Sequence, residues 1–398
     1  MSSHAVISGA GIAGPALADQ LTARGWRTTV IERYPQRRDE GQNVDIRGAA
    51  REVVRTMGIE DEVRRANTGE IGTRFVTAAG KAAASFPVGA LGGPDGPTAE
   101  LEILRGELSR ILIDRTLGQA DYRFGTQITG VTDHGDHVTT MLDDGSVLDS
   151  DVLIVAEGLR SRSRRFVSAA DVTDLGMYFA YVTIPRSDSD DQWWNWQHAT
   201  RSRGVHLRPD NLGSTRAILT FISDVRGIED LQPVDQIAIL RKTFADVGGA
   251  APRIMREIEA GAPMYFSVAG QVSVPAWSKG RIGLLGDCAF CNATFGGAGT
   301  SLALIGAYIL AGELAATTDH EAALARYQQM MQPFTASAPV VRPAVLRLAN
   351  PRSRIGIAAL RGVARTAASP PATAMASLIS RASAGGSRGP ALPDYPAA

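Results

Sequence analysis

The chain has 398 residues, of which 44% are apolar and 21% charged; that apolar content supports a large buried core and excludes a wholly disordered chain. Its 41 basic residues equal its 41 acidic ones, so nothing electrostatic points to a nucleic-acid or other polyanionic partner. At roughly 100–200 residues per domain, the length suggests two domains, or one large α/β domain with an inserted layer.

In chain order, the β-branched run from His4 to Ser8 predicts a first strand, and Gly9 to Gly14 a glycine turn. Ile12, Leu17 and Leu21 carry helical spacing to Arg24, Gly25 ends that helix, and Arg27 to Ile31 predicts a second strand parallel to the first. A strand beginning by residue 4 leaves no room for a signal peptide, so a cytoplasmic location is expected. Residues 100–117 read as one helix, from the spacing of Leu101, Leu104, Leu108, Ile111 and Leu112. Short alternating segments with turns at Asp133–Asp136 and Asp143–Ser146 predict a β-meander over 122–156, ending in a buried strand, Val152 to Ala156.

From about 171 to 275 the pattern predicts an antiparallel sheet with helices: strands near 178–184, 204–207, 216–222 and 264–274, and helices near 233–246 and 251–260. A buried strand at 281–285, a Gly-rich turn and a helix from about Thr300 to Ala316 follow. The apolar run 302–316 is too short to span a bilayer, so no membrane span is expected. The expected organisation is a discontinuous dinucleotide-binding domain (1–170 and 276–334), a substrate domain (171–275), a helical segment (335–382) and a disordered tail (383–398). After Phe334 eight arginines stand against one acid, read as a solvated face. Cys288 and Cys291 form a C-x-x-C with no second Cys/His pair nearby; packed thiols, and no metal site, are expected.

The motif Gly9-Ala10-Gly11-Ile12-Ala13-Gly14 sits between a predicted strand and a predicted helix, the context a dinucleotide-binding fingerprint needs. Gly9 permits the tight turn, Gly11 the approach of a pyrophosphate, Gly14 close helix–strand packing, and the helix N-terminus offers free N–H groups to phosphate. Glu32, at the end of the second strand with Arg33 beside it, suits the adenosine ribose and disfavours a 2′-phosphate there. These features alone do not separate NAD from FAD.

Further segments resemble the class A flavoprotein monooxygenases, the family of the para-hydroxybenzoate hydroxylase fold that includes tetracycline-inactivating monooxygenases. Gly286-Asp287-Cys288-Ala289, followed by Gly297-Ala298-Gly299 and Thr300 at a helix start, resembles the family's second FAD fingerprint. The run from Glu157 to Arg164 resembles its middle motif, with Glu157 in place of aspartate; Arg105 matches an arginine flanking the FAD phosphates, and Arg47 a loop beside the flavin ring. Phe290, Ala293, Thr294 and Ser301 depart from the usual His, Pro and Asn.

The resemblance implies a Rossmann-type α/β fold with an inserted antiparallel sheet, bound FAD, and NADH or NADPH as a transient reductant. It also implies O2 and a small or medium organic substrate oxygenated through a C4a-hydroperoxyflavin, in a monomer or homodimer. Arg47 and Thr294 are the candidate catalytic contacts. Trp194 and Trp196, on one face of a strand, with Phe290 and Phe295, are candidates for the substrate wall. Trp194-x-Trp196 also resembles a halogenase motif, but Gln197-His198-Ala199 does not continue it; His198 and His206 are further acid–base candidates. Rival readings are a flavin dehydrogenase of the same fold, or a protein that keeps FAD without redox work.

Overall fold

The computed structural model describes residues 2–38, 41–90, 99–292, 297–336, 341–373 and 390–396. Strand His4–Ser8 is buried along its whole length and pairs in parallel with Arg27–Glu32 on one side and Val152–Val155 on the other. Ala120–Phe124 and Ile282–Leu284 extend this sheet in parallel, and Ser278–Lys279 closes one edge antiparallel. Its central strands are almost wholly buried, so layers packed on its faces must shield them. Helix Ala13–Thr22 does so, packed against Gly299–Ala316 and Arg105–Thr116. Strands Ile128–Asp133, Val138–Leu142 and Val147–Ser150 form the meander.

Among the described residues the antiparallel layer has eight strands, and it is not confined to residues 171–275. Gly72–Val76 and Ala82–Pro87 join it, the former in parallel beside Trp194–Ala199, and Phe290–Cys291 caps its other edge. Alternation sorts its side chains. Tyr178, Ala180, Val182, Val205 and Leu219 face helices Pro233–Phe244 and Ala251–Glu259, whereas Phe179, Tyr181, His206, Arg208 and Ile218 face the parallel-sheet domain.

Residues 100–104 are not helical. Glu102–Leu104 is a strand paired antiparallel with Asn43–Asp45, and the helix starts at Arg105. Strand pairing and burial of Glu102 override the helical spacing of Leu101 and Leu104. Helix Gly299–Ala316 has 18 residues and is long and apolar enough to cross a bilayer, but most of it is buried in the core. The expected disordered tail contains an anchored piece: the Tyr395 hydroxyl donates to Glu313 at 2.7 Å, and Tyr308 donates to the Pro393 carbonyl at 3.0 Å. Two aromatic hydroxyls and Leu392 supply contacts that an average over the tail's composition conceals. The rest of residues 383–398 falls outside the described residues, save 390–396.

Candidate active site

One cavity of about 500 Å³ runs between the two layers, lined at one end by the glycine turn and at the other by the aromatic wall. The turn is built by close approach. Gly9 has φ 115°, and a Cβ on it would overlap the Ala156 carbonyl; one on Gly14 would overlap the Gly9 carbonyl. Gly14 and Gly286 lie behind the cavity, where they let helix and strand pack. Gly9, Gly11, Ile12 and Ala13 line it.

Glu32 reaches back to this turn, accepting from the backbone N–H of Ala10 at 2.9 Å and of Tyr34 at 3.1 Å. Arg33 lies beside it on the rim, its guanidinium 5.0 Å from the Tyr34 ring centre. Arg105, first residue of its helix, points across the turn, its Nη2 only 3.3 Å from where a Cβ of Gly11 would stand. Arg105 and Asp287 line the cavity, and neither side chain has a hydrogen-bond partner among the described residues. Burial pushes the Asp287 carboxyl above its usual range, opposed by the Arg105 charge. Burial likewise lowers Arg105, with Arg38 adding to it. A cation and an acid facing one cavity without protein partners fit a group that brings phosphate oxygens and hydroxyls, as FAD does.

At the start of helix Gly299–Ala316, a Cβ on Gly299 would stand 3.3 Å from the Asp287 carboxylate. Gly297, at φ 61°, lies against the Asp45–Arg47 pair, and Ala298 and Thr300 line the cavity. Arg47 is held by Asp45, with Nη2 to Oδ2 at 2.8 Å, and its backbone N–H donates to the Ser301 hydroxyl at 2.9 Å. Ser301 thus pins the Arg47 loop to the helix start, and Asp45 aims the guanidinium; sequence reasoning missed both roles. Thr294 and Phe295 lie outside the described residues.

Glu157 borders the cavity, but its carboxylate is taken up by the protein. It accepts from the hydroxyls of Ser8, Ser161 and Ser163 and from the Ser163 N–H, at 2.7 to 3.0 Å. Burial opposes its charge, yet these bonds outweigh burial and hold it below the usual carboxylate range. Its visible work is to fix the loop after the strand. Arg164 in the same loop donates to the Cys288 carbonyl at 2.8 Å. Cys288 and Cys291 are both buried and not joined in a disulfide, and burial raises Cys288 to about 12.

The far wall is aromatic. Trp194 and Trp196 share a face with ring centres 4.7 Å apart, and His206 meets Trp196 edge-on at 4.8 Å. Phe290 closes one side, 4.6 Å from Trp277. Burial, reinforced by His198 and Arg208, lowers His206 to about 3; burial and Arg361 lower His198 to about 4. Both are therefore neutral at neutral pH, and only His206 lines the cavity. Behind the wall lies an ion network that sequence spacing could not reveal. Arg208 donates to Glu70 at 2.8 Å and to Glu102, and Glu102 also accepts from Asn43 at 2.7 Å and from Thr68.

The chain matches the FAD binding domain family over residues 2–339. It is 35% identical over 392 residues to the flavin-dependent monooxygenase eupH of a Phoma species, covering 91% of each chain. A flavin-dependent monooxygenase of Legionella longbeachae is 33% identical, over 83% of this chain and 85% of that one. The crystal structure of tetracycline destructase Tet(51) superposes with a TM-score of 0.78 at 28% identity, covering 99% of this chain and 100% of the other. The fold and site therefore define an FAD-binding oxidoreductase. The chain belongs to the FAD binding domain family and, within it, to the flavin-dependent monooxygenases.

Proposed function

We propose that this monooxygenase oxygenates a planar, aromatic or polycyclic organic substrate of small or medium size, with O2 as oxidant and NADH or NADPH as transient reductant. The observation that carries this reading is the continuity of the cavity, which joins the cofactor motifs to the Trp194/Trp196 wall. FAD, once reduced by the nicotinamide, supplies O2 activation and transfer of one oxygen atom to the substrate.

The protein's part is binding, orientation and exclusion of water. Glu32 accepts from the adenosine ribose, Arg105 and the N-terminus of helix Ala13–Thr22 hold the pyrophosphate, and Asp287 accepts from ribityl hydroxyls. The N-terminal end of helix Gly299–Ala316 stabilises negative charge on the reduced ring, by about 0.3–2 kcal/mol. Arg47, fixed by Asp45 and Ser301, borders the ring. Trp194 and Trp196, their rings inclined at 62°, offer a rigid aromatic corner whose ring faces can stack on the substrate, and the neutral imidazole of His206 adds no charge to it.

The test is direct. The purified protein releases FAD, identified by chromatography, and aromatic candidates are screened for stimulated NAD(P)H oxidation with oxygen-18 incorporated from O2. Release of FMN would overturn the cofactor assignment. Substrate turnover without label would favour a dehydrogenase instead.

A further inference from the structure

From Ala322 to Pro393 the sequence has nine arginines and no acidic residue, in a chain whose 41 basic and 41 acidic residues balance overall. Two helices, Pro343–Ala349 and Arg354–Ala367, occupy the described part of this stretch beyond helix His320–Ala336. Each is anchored by its inner face: Leu346 packs with Met177, Phe179 and Ile218, and Ala364 with Ala84 and Phe86.

Their outer faces have the opposite of the usual polarity. Ile355, Ala359, Gly362 and Val363 recur at helical spacing and are all exposed. Ile355 is 82% and Val363 68% exposed, with Leu348 at 76% on the preceding helix. Arg352 and Arg354 adjoin Ile355 in the chain and Arg342 starts the preceding helix; all three are exposed, and their side chains have no partner among the described residues. Among the described residues Arg347 reaches only the exposed Asp224, at 3.4 Å.

We propose that this face docks on an anionic lipid surface, with Leu348, Ile355 and Val363 in the apolar boundary and the arginines on the headgroups. An outward apolar strip edged by unpaired arginines is the pattern of a helix lying in the membrane interface. A second copy of the chain is the poorer occupant, because a two-fold contact would set these arginines against their own copies. The surface also adjoins the site: Leu346 shares an apolar cluster with Phe179 and Ile218, which line the cavity, so docked lipid lies one helix away from the substrate wall.

The experiment is vesicle flotation of the FAD-loaded full chain at low and high salt, with phosphatidylcholine alone or mixed equally with phosphatidylserine. The chain should float only with the anionic vesicles, and less at high salt. Each arginine near an anionic surface is worth about fivefold in binding, so Arg352→Glu/Arg354→Glu should reduce it at least ~25-fold. Ile355→Glu/Val363→Glu should also reduce it severalfold; both pairs are exposed, so FAD content and melting temperature should stay at the parent's values. The proposal is overturned if the parent does not float with anionic vesicles, or if either double variant floats as the parent does. It is also overturned if sedimentation velocity of the parent alone shows a dimer that Ile355→Glu/Val363→Glu dissolves.

Discussion

The Arg208 guanidinium lies over the face of Trp194, 3.8 Å from the ring centre, while Glu70 and Glu102 grip it from behind. The stack fixes one ring of the aromatic wall to a buried charge. Glu102 in turn accepts from Asn43, on the strand that leads to Arg47. The substrate wall and the loop at the cofactor end of the cavity therefore share one post.

Arg208→Met should destabilise the protein by about 3–5 kcal/mol, because it leaves two buried carboxylates without their counter-ion. The Glu70 and Glu102 side chains are 0% and 1% exposed. The triple variant Glu70→Gln/Glu102→Gln/Arg208→Met should recover most of that loss. Urea unfolding of FAD-saturated protein measures both; a single variant within about 1 kcal/mol of the parent would show that the network carries no net energy.

Asp287→Ala should weaken FAD retention roughly 10- to 150-fold, the equivalent of about 1.5–3 kcal/mol for a hydrogen bond to a charged group. Cys288→Ser should leave retention close to the parent's, since its thiol donates to the Val155 and Leu285 carbonyls and a hydroxyl can do the same. Fluorescence titration of the stripped protein with FAD compares them. Equal affinity in the two variants would remove Asp287 from the cofactor site.

Replacing Trp196 with Ala removes the ring that touches both Trp194 and His206. A substrate held loosely is oxygenated less efficiently, so hydrogen peroxide per NAD(P)H consumed should rise and the apparent substrate constant should increase. The assay uses whichever compound the oxygen-18 screen identifies. Unchanged coupling in both Trp194→Ala and Trp196→Ala would move the substrate to another surface.

Stability should fall as pH drops from about 6.5 towards 5. Burial lowers the pKa of His4, His198, His206 and His320 in the folded chain, so the unfolded chain takes up protons there that the folded chain does not. A histidine lowered on folding contributes stability that is intact above its unfolded value and lost as pH falls towards its folded value. Each contributes a slope of up to about 1.4 kcal/mol per pH unit in that window. Urea midpoints across the range measure the slope, and His206→Gln should reduce it by one proton. Asp19, Glu102 and Asp287, raised by burial, pull the slope the other way, so the deciding comparison is between the two proteins: a His206→Gln slope equal to the parent's would refute the neutral assignment of His206.

Several elements were legible from the chain alone because their causes are local. The glycine turn, the helix behind it and the strand ending in Glu32 follow from side-chain size, period and backbone freedom within thirty residues. The same holds for Asp287 at the end of its strand, and for Trp194 and Trp196 on one face. Other features depend on partners distant in sequence. Residues 100–104 carry helical spacing, yet pairing with Asn43–Asp45 makes three of them a strand. Nothing near Gly72–Val76 announces that it will lie beside Trp194–Ala199, since a parallel pairing leaves no turn to read. Glu157 reads as a cofactor ligand in the sequence, but Ser8, Ser161 and Ser163 occupy its oxygens. Glu70, Glu102 and Arg208 are unremarkable charges in the sequence. Only the closing of two sheets over one cavity takes them out of water together, and that desolvation turns three ordinary side chains into a post for the substrate wall.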